Sequence, residues 1–294
     1  MKSLKVTILS TMLSDFEGIG EWGFAALLEA DGRRILIDTG ARPDTVSINA
    51  REMKVDLSDV KEVVLTHNHG DHAGGLLTLR REYAKKNPAA LSVVHVGKGI
   101  FYPRPGRDGK ESNATLLLRD EFEKGGGRFV EHDGFTELAP GVWLTGPIPR
   151  QYPEKNYPGR AKMRTAEGLV DDIIPEDQAI VVNTAKGLVV ISGCGHAGIV
   201  NTATAAEKRY PGTPIHALIG GFHMFAATDQ QVDWTAEKLK PLGVQNFIGA
   251  HCTGINTVFR LRDDLGLPRD AAVVGAVGAS FVLGEGIHPG VIAK

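Results

Sequence analysis

Two cysteines in 294 residues, Cys194 and Cys252, cannot make a disulfide framework. No run of about 18 apolar residues exists, which argues against a membrane-spanning helix. A charge excess is lacking too: 33 Lys and Arg stand against 35 Asp and Glu, for a net charge of −2. That balance argues against a basic nucleic-acid surface and a polybasic membrane patch. The opening MKSLKVTILSTMLSDFEG has one short apolar run and then acidic residues, without the long apolar region and small-residue cleavage site of a secretory signal. It reads as a first strand, and a cytoplasmic location is the default expectation.

The apolar fraction, 42%, and charged fraction, 23%, are those of an ordinary globular protein. Short apolar runs at 4–10, 24–30 and 34–38 predict strands, the last two joined by the turn DGR. A strand at 62–66 is followed by a helix from about Asp71 to Asn87, stopped by Pro88, and then by a strand in LSVVHVG. The middle, about 97–170, is irregular and basic, with a helix near 114–124 and a strand near 142–146. Beyond it, DQAIVVNTAKGLVVISGC reads as a hairpin. Three strand–helix alternations and two closing strands follow. Each half begins with strands and goes on to alternate, so two packed sheets with helices outside are expected, in one domain over 1–294.

The segment EVVLTHNHGDHAGG places His67, His69, Asp71 and His72 directly after an apolar strand. A packed core has no use for such a cluster, because every imidazole and carboxylate would need a buried partner. Metal binding explains it better than a set of surface histidines. In extended backbone, residues two apart face one way, so His67 and His69 can grip one ion. Where the chain bends into a helix, Asp71 and His72 can turn toward a second. The rest of the chain supplies donors at other strand ends: Cys194 and His196 in VVISGCGHAG, His223 in HALIGGFH, and His251 and Cys252 in VQNFIGAHCTG. His223 could touch substrate or move a proton, against the alternative of a packed histidine. His95 and His216, inside apolar strands, read as core residues, and His132 and His288 have no supporting context.

With ILIDTG (Asp38), THNHGDHAGG and GAHCTG in this order and rough spacing, the sequence resembles the metallo-β-lactamase superfamily along nearly its whole length. SGCGHAGIVNT, IGGFH and GAHCTG are similar to the branch that includes the dihydropterin–ribofuranosylaminobenzene phosphate synthases of methanopterin biosynthesis. The resemblance implies an α/β fold, an αββα sandwich of two mixed sheets flanked by helices, with one or two divalent ions. Zinc is the first expectation, and Mn2+, Fe2+, Ni2+ and Mg2+ are the alternatives. By the same resemblance His67 and His69 hold one ion, Asp71, His72 and His251 the other, and Asp38 orients the ligands. Two departures stand out. The family's third histidine should lie near VWLTGPIPR, which contains none, and Cys194 occupies the usual bridging-aspartate position. His196 is expected to replace the missing imidazole. Cys194 is either a bridging thiolate, acceptable to zinc, or an inert small residue.

The segment PRQYPEKNYPGRAKMR carries Arg150, Lys155, Arg160, Lys162 and Arg164 with Tyr152 and Tyr157, and YPRPGRDGK adds Arg104, Arg107 and Lys110. Such loops could receive an anionic, ring-bearing small molecule through Arg150, Arg160 and Arg164. A solvated loop is the blander alternative, and the one base rates favour. The primary functional expectation is a metal-dependent hydrolase in which Asp71 orients an activated water toward an ester-like or phosphoryl substrate. The alternatives are a transferase joining a dihydropterin-methyl diphosphate to an aminobenzene ribofuranosyl phosphate, and a non-catalytic metal or ligand sensor. The oligomeric state is not legible. Gly-rich nucleotide-binding motifs are lacking.

Overall fold

The computed structural model describes residues 1–15, 18–154 and 161–293. Lys155, Tyr157 and Arg160 of the basic segment lie outside the described residues. Strands β1 (Leu4–Ser10), β2 (Ala25–Ala30), β3 (Arg33–Ile37), β4 (Glu62–Val64), β5 (Val93–Gly97) and β6 (Arg128–His132) run in sequence order across one sheet. The second sheet contains β7 (Thr136–Ala139) and β8 (Val142–Leu144). A separate two-stranded ribbon, β9 (Lys162–Thr165) and β10 (Gly168–Asp171), comes next in the chain. The second sheet then continues through β11 (Ala179–Thr184), β12 (Gly187–Ser192), β13 (Ile215–Gly220), β14 (Phe247–Gly249) and β15 (Ala272–Val274). The last two, β16 (Ser280–Val282) and β17 (Gly286–His288), return to the first sheet beside β1.

The αββα layering follows from where the apolar side chains go. One buried cluster lies between the sheets, with Val6, Ile8, Phe24, Ile37, Val64, Ile180, Ile191 and Ile219 among its members. The central strands are apolar on their other faces as well, as strands buried on both sides must be. On the first sheet that outer face is covered by α1 (Thr45–Glu52), the short α2 (Gly70–Ala73), α3 (Leu76–Ala84) and α4 (Ala114–Lys124). On the second it is covered by α5 (Ile199–Arg209), α6 (Asp229–Leu239) and α7 (Ile255–Leu265).

Two expectations change. The helix expected over 71–87 is two helices, broken at Gly74–Gly75. The loop after β3 crosses here so closely that a Cβ on Gly74 would sit 2.0 Å from the Ala41 carbonyl oxygen, and one on Gly75 2.2 Å from that of Thr39. The middle segment is also less irregular than its composition implies. Besides the expected helix (α4) and strand (β8) it contributes β6 and β7, which extend both sheets, and most of the ribbon. These strands are short and only partly buried, so their apolar alternation is weak.

The topology brings the loops of interest together. β3, β4, β5 and β6 are parallel neighbours, as are β12, β13, β14 and β15. The segments leaving the C-terminal ends of β3, β4, β12, β13 and β14 carry Asp38, His67 to His72, Cys194 and His196, His223, and His251. Ligand sites in α/β sheets form at such strand ends.

Candidate metal centre

Seven of the side chains singled out by pattern form one nest. His67, His69 and His196 pack as a triangle of imidazoles, with ring centroids 4.6, 4.7 and 4.9 Å apart. Beside it, His72 and His251 lie 5.0 Å apart, and Asp71 Oδ2 is 3.3 Å from His251 Nε2 and 3.8 Å from His72 Nε2. Cys194 Sγ is 3.1 Å from His72 Nε2. It belongs to two groups of donor atoms lying within 4.8 Å of one another, one with His67 and His196, the other with Asp71, His72 and His251. His196 thus joins His67 and His69, and Cys194 lies between the two lobes.

The donor set fits divalent ions. His67 is fully buried, and its Nε2 has no hydrogen-bond partner among the described residues while Nδ1 lies 3.1 Å from Thr66 Oγ1. Such an orphaned nitrogen among other imidazoles is costly unless a cation uses its lone pair. Burial holds His67 and His196 well below the ordinary histidine range and takes His69 down to about 4, so all three are neutral at pH 7. Burial would raise the Asp71 carboxyl, but facing His251, His72 and His69 hold it below the usual range. Burial likewise opposes charge on His251, and Asp71 and Cys252 outweigh it, raising the imidazole to about 9. Burial also pushes the Cys194 thiol up, and a cation among these donors would reverse that preference.

Asp38 is buried beneath the nest. Its Oδ1 accepts from Thr66 N at 2.8 Å, and Oδ2 lies 2.8 Å from Thr66 Oγ1 and 2.7 Å from His72 Nδ1. An ionised carboxylate only accepts, so His72 carries its proton on Nδ1 and turns the Nε2 lone pair into the nest. Asp38, His223 and His251 all have positive φ, at 54°, 48° and 46°. Left-handed backbone is uncommon outside glycine, though less so for Asp and His, and three of the seven such residues among those described fall at this site.

A second tier, not anticipated from the sequence, braces both ligand loops from the segment before β11. Glu176 Oε1 accepts from Asn68, between His67 and His69, at 2.6 Å. Arg104 joins Glu176 Oε2 and Asp172 Oδ2, both at 2.7 Å. Asp177 Oδ2 accepts from Ala197 N, directly after His196, at 2.7 Å, and burial raises its carboxyl to about 7. No local motif announces these residues, because their partners lie far away in the sequence.

Several expectations need correction. Arg150 does not present a free guanidinium to an anion. It donates to the His196 carbonyl at 2.6 Å and to the carbonyls of Ile173 and Ile174, so it fastens the His196 loop. Arg104, read with the surface basic loop, is buried in the network above. Arg164 is exposed on β9, with its backbone N bonded to the Pro103 carbonyl, and no contact among the described residues joins it to the nest. Cys252, offered with His251 as a donor, packs against the other cysteine, its Sγ 3.3 Å from that of Cys194. His95 and His216 are buried as expected, and His132 gains a context through a 2.9 Å contact with His95.

His223 lies beside the nest, its ring 4.6 Å from that of His196. It also lines a cleft of about 450 Å³ together with Glu154, Met224, Phe225 and Trp234. Trp22, 50% exposed, packs edge-on against both Phe225 and His251 and forms an aromatic rim.

Residues 23–150 match the family model of the metallo-beta-lactamase superfamily. The chain is 29% identical over 258 residues to the 7,8-dihydropterin-6-methyl-4-(beta-D-ribofuranosyl)-aminobenzene-5'-phosphate synthase of Methanocaldococcus jannaschii, covering 83% of this chain and 86% of that one. Among solved structures it is similar to Tm1679, described as a metal-dependent hydrolase of the beta-lactamase superfamily, with a TM-score of 0.76, 26% identity and coverage of 94% and 98%. The family model, the curated relative and this solved structure all make the chain similar to the metallo-β-lactamase superfamily. Zn2+-bound PqqB from Methylobacterium extorquens shares the fold, at a TM-score of 0.56 and 13% identity over 94% of this chain and 99% of that one. The paired sheets and flanking helices are therefore the metallo-β-lactamase fold.

Proposed function

We propose that this chain is a metal-dependent hydrolase of an ester-like or phosphoryl substrate. The observation that carries the reading is the two-lobed nest, with three neutral imidazoles on one side, Asp71, His72 and His251 on the other, and Cys194 shared. One or two divalent ions, zinc first, would be held by these residues. Ions of this kind polarise a carbonyl or phosphoryl oxygen and acidify water toward a pKa of about 7.

The chain's own residues supply the rest. Asp71 keeps 21% of its side chain exposed, whereas those of His72 and His251 are fully buried, so this carboxylate meets solvent and can orient the attacking water. His223 bridges the nest and the cleft and can hand a proton to a leaving group. Met224, Phe225 and Trp234 give the cleft an apolar wall for the body of a small molecule, with Glu154 as a polar contact. Burial raises the Glu154 carboxyl to about 7, although it accepts from the Val200 and Asn201 amides at the start of α5.

A second reading is favoured by the similarity to the methanococcal synthase over most of both chains. In that transferase, the aromatic amine would replace water as the nucleophile and a diphosphate would leave. Zinc-loaded protein offered lactone, thioester and phosphodiester substrates, and separately a dihydropterin-methyl diphosphate with an aminobenzene ribofuranosyl phosphate, decides between them. Metal-dependent turnover in the first set supports the hydrolase. A coupled product in the second, without turnover in the first, replaces it with the transferase.

A further inference from the structure

The chain's only two cysteines meet at the metal nest although 58 positions separate them. Cys194 follows β12 and Cys252 follows β14, with β13 between, so their parent strands are about 10 Å apart. The loops can converge because β13 ends at Gly220 and is followed by Gly221. A Cβ on Gly221 would lie 2.1 Å from the Gly193 carbonyl oxygen and 3.1 Å from Cys252 Sγ, so any side chain there would intrude on the gap the sulfurs share. The two sulfurs are 3.3 Å apart, and the backbone N of His223 donates to Cys252 Sγ at 3.2 Å. Both thiols are buried, while the nest reaches solvent beside Asp71, the side from which a small peroxide would approach.

We propose that Cys194 and Cys252 form a peroxide-driven, reversible disulfide that removes the shared sulfur from the metal nest. A disulfide needs the sulfurs at about 2.05 Å, an approach of roughly 1.3 Å from the present separation. One thiol attacks the peroxide oxygen, breaking the O–O bond and releasing water, or the alcohol of an organic peroxide, to leave a sulfenic acid. The other attacks the sulfenic sulfur and expels a second water. Two thiols and one hydrogen peroxide thus give one disulfide and two waters, with both electrons passing to the peroxide. A dithiol reductant reverses the step by exchange. The disulfide sulfur is no thiolate, so both ligand groups lose the donor they share. This consequence for metal rests on the ligand reading given above, whereas formation of the bond does not.

The test treats the full chain with hydrogen peroxide after chelation and, in parallel, after loading with zinc. Thiol count, intact mass and peptide mapping are the readouts. The chelated chain is expected to lose both thiols, become about 2 Da lighter and yield a Cys194–Cys252 linked peptide. Zinc should slow the reaction by roughly tenfold or more by occupying the thiolate. Zinc titration of the linked chain should show weakened binding that dithiothreitol restores. Cys252→Ser should keep zinc content and form no link. Products about 32 or 48 Da heavier without a link, or thiols that persist while the unfolded chain oxidises, would overturn the proposal. A linked chain that binds zinc as before would retain the modification and overturn only its effect on the metal.

Discussion

Replacing Asp38 by Asn tests how the nest is held without changing any proposed ligand. The carboxylate takes three hydrogen bonds, from Thr66 N, Thr66 Oγ1 and His72 Nδ1, at 2.7 to 2.8 Å. In Asp38→Asn the amide oxygen can keep the Thr66 backbone bond, and the threonine hydroxyl can rotate to accept from the new NH2. His72 cannot adapt without cost. An NH2 facing Nδ1 favours the tautomer protonated at Nε2, the nitrogen now 3.1 Å from Cys194 Sγ. The lone pair aimed into the nest is lost. Loss of an outer-shell partner of this kind costs about 10- to 100-fold in metal affinity, or roughly 1.4 to 2.7 kcal/mol. Competition for zinc against a chelating fluorophore measures the affinity, and circular dichroism shows whether the variant is folded. A folded Asp38→Asn protein that binds zinc within a factor of two of the unchanged chain would refute the tautomer argument.

Three further outcomes are expected. His223→Ala should retain its metal but lose about 10²- to 10⁴-fold in kcat on whichever substrate proves active; lost metal with unchanged kcat per ion would make it a ligand instead. Metal-free protein should lose stability as the pH falls below 6.5 toward about 4, because His67, His69 and His196 are neutral when folded and take up protons when unfolded. The combined slope reaches at most roughly 4 kcal/mol per pH unit, and urea melts giving equal stability at pH 7 and 5 would contradict it. Arg104→Ala should destabilise by about 3–5 kcal/mol, since it strands Asp172 and Glu176 without their buried cation; a change in thermal stability under about 1 kcal/mol would show the network to be dispensable.

The parts of this site that follow from sequence are those governed by local rules. Period-two apolar runs located β1, β2 and the β11–β12 pair, and donors placed beside glycine at strand ends marked His67, His69, Asp71, His72, His196 and His251. The Cys194–Cys252 contact depends on two strand ends meeting across β13, which no local spacing records. Asn68 and Glu176 are 108 positions apart, and Arg104 and Glu176 are 72. A buried arginine reads like a surface one until its partners are in place, so Arg104 was grouped with solvated cations and Arg150 with anion-binding ones. The break between α2 and α3 was equally hidden, because it is imposed by the loop after β3.

The central claim is that this nest binds metal ions as one unit. Elemental mass spectrometry on protein purified without added metal or chelator, beside His69→Ala and His196→Ala, tests it most directly. The account predicts one to two ions per chain, zinc foremost, falling sharply in both variants while the fold persists. A native chain that binds no divalent ion even after metal is added back, or a His196→Ala chain with unchanged content, would contradict it.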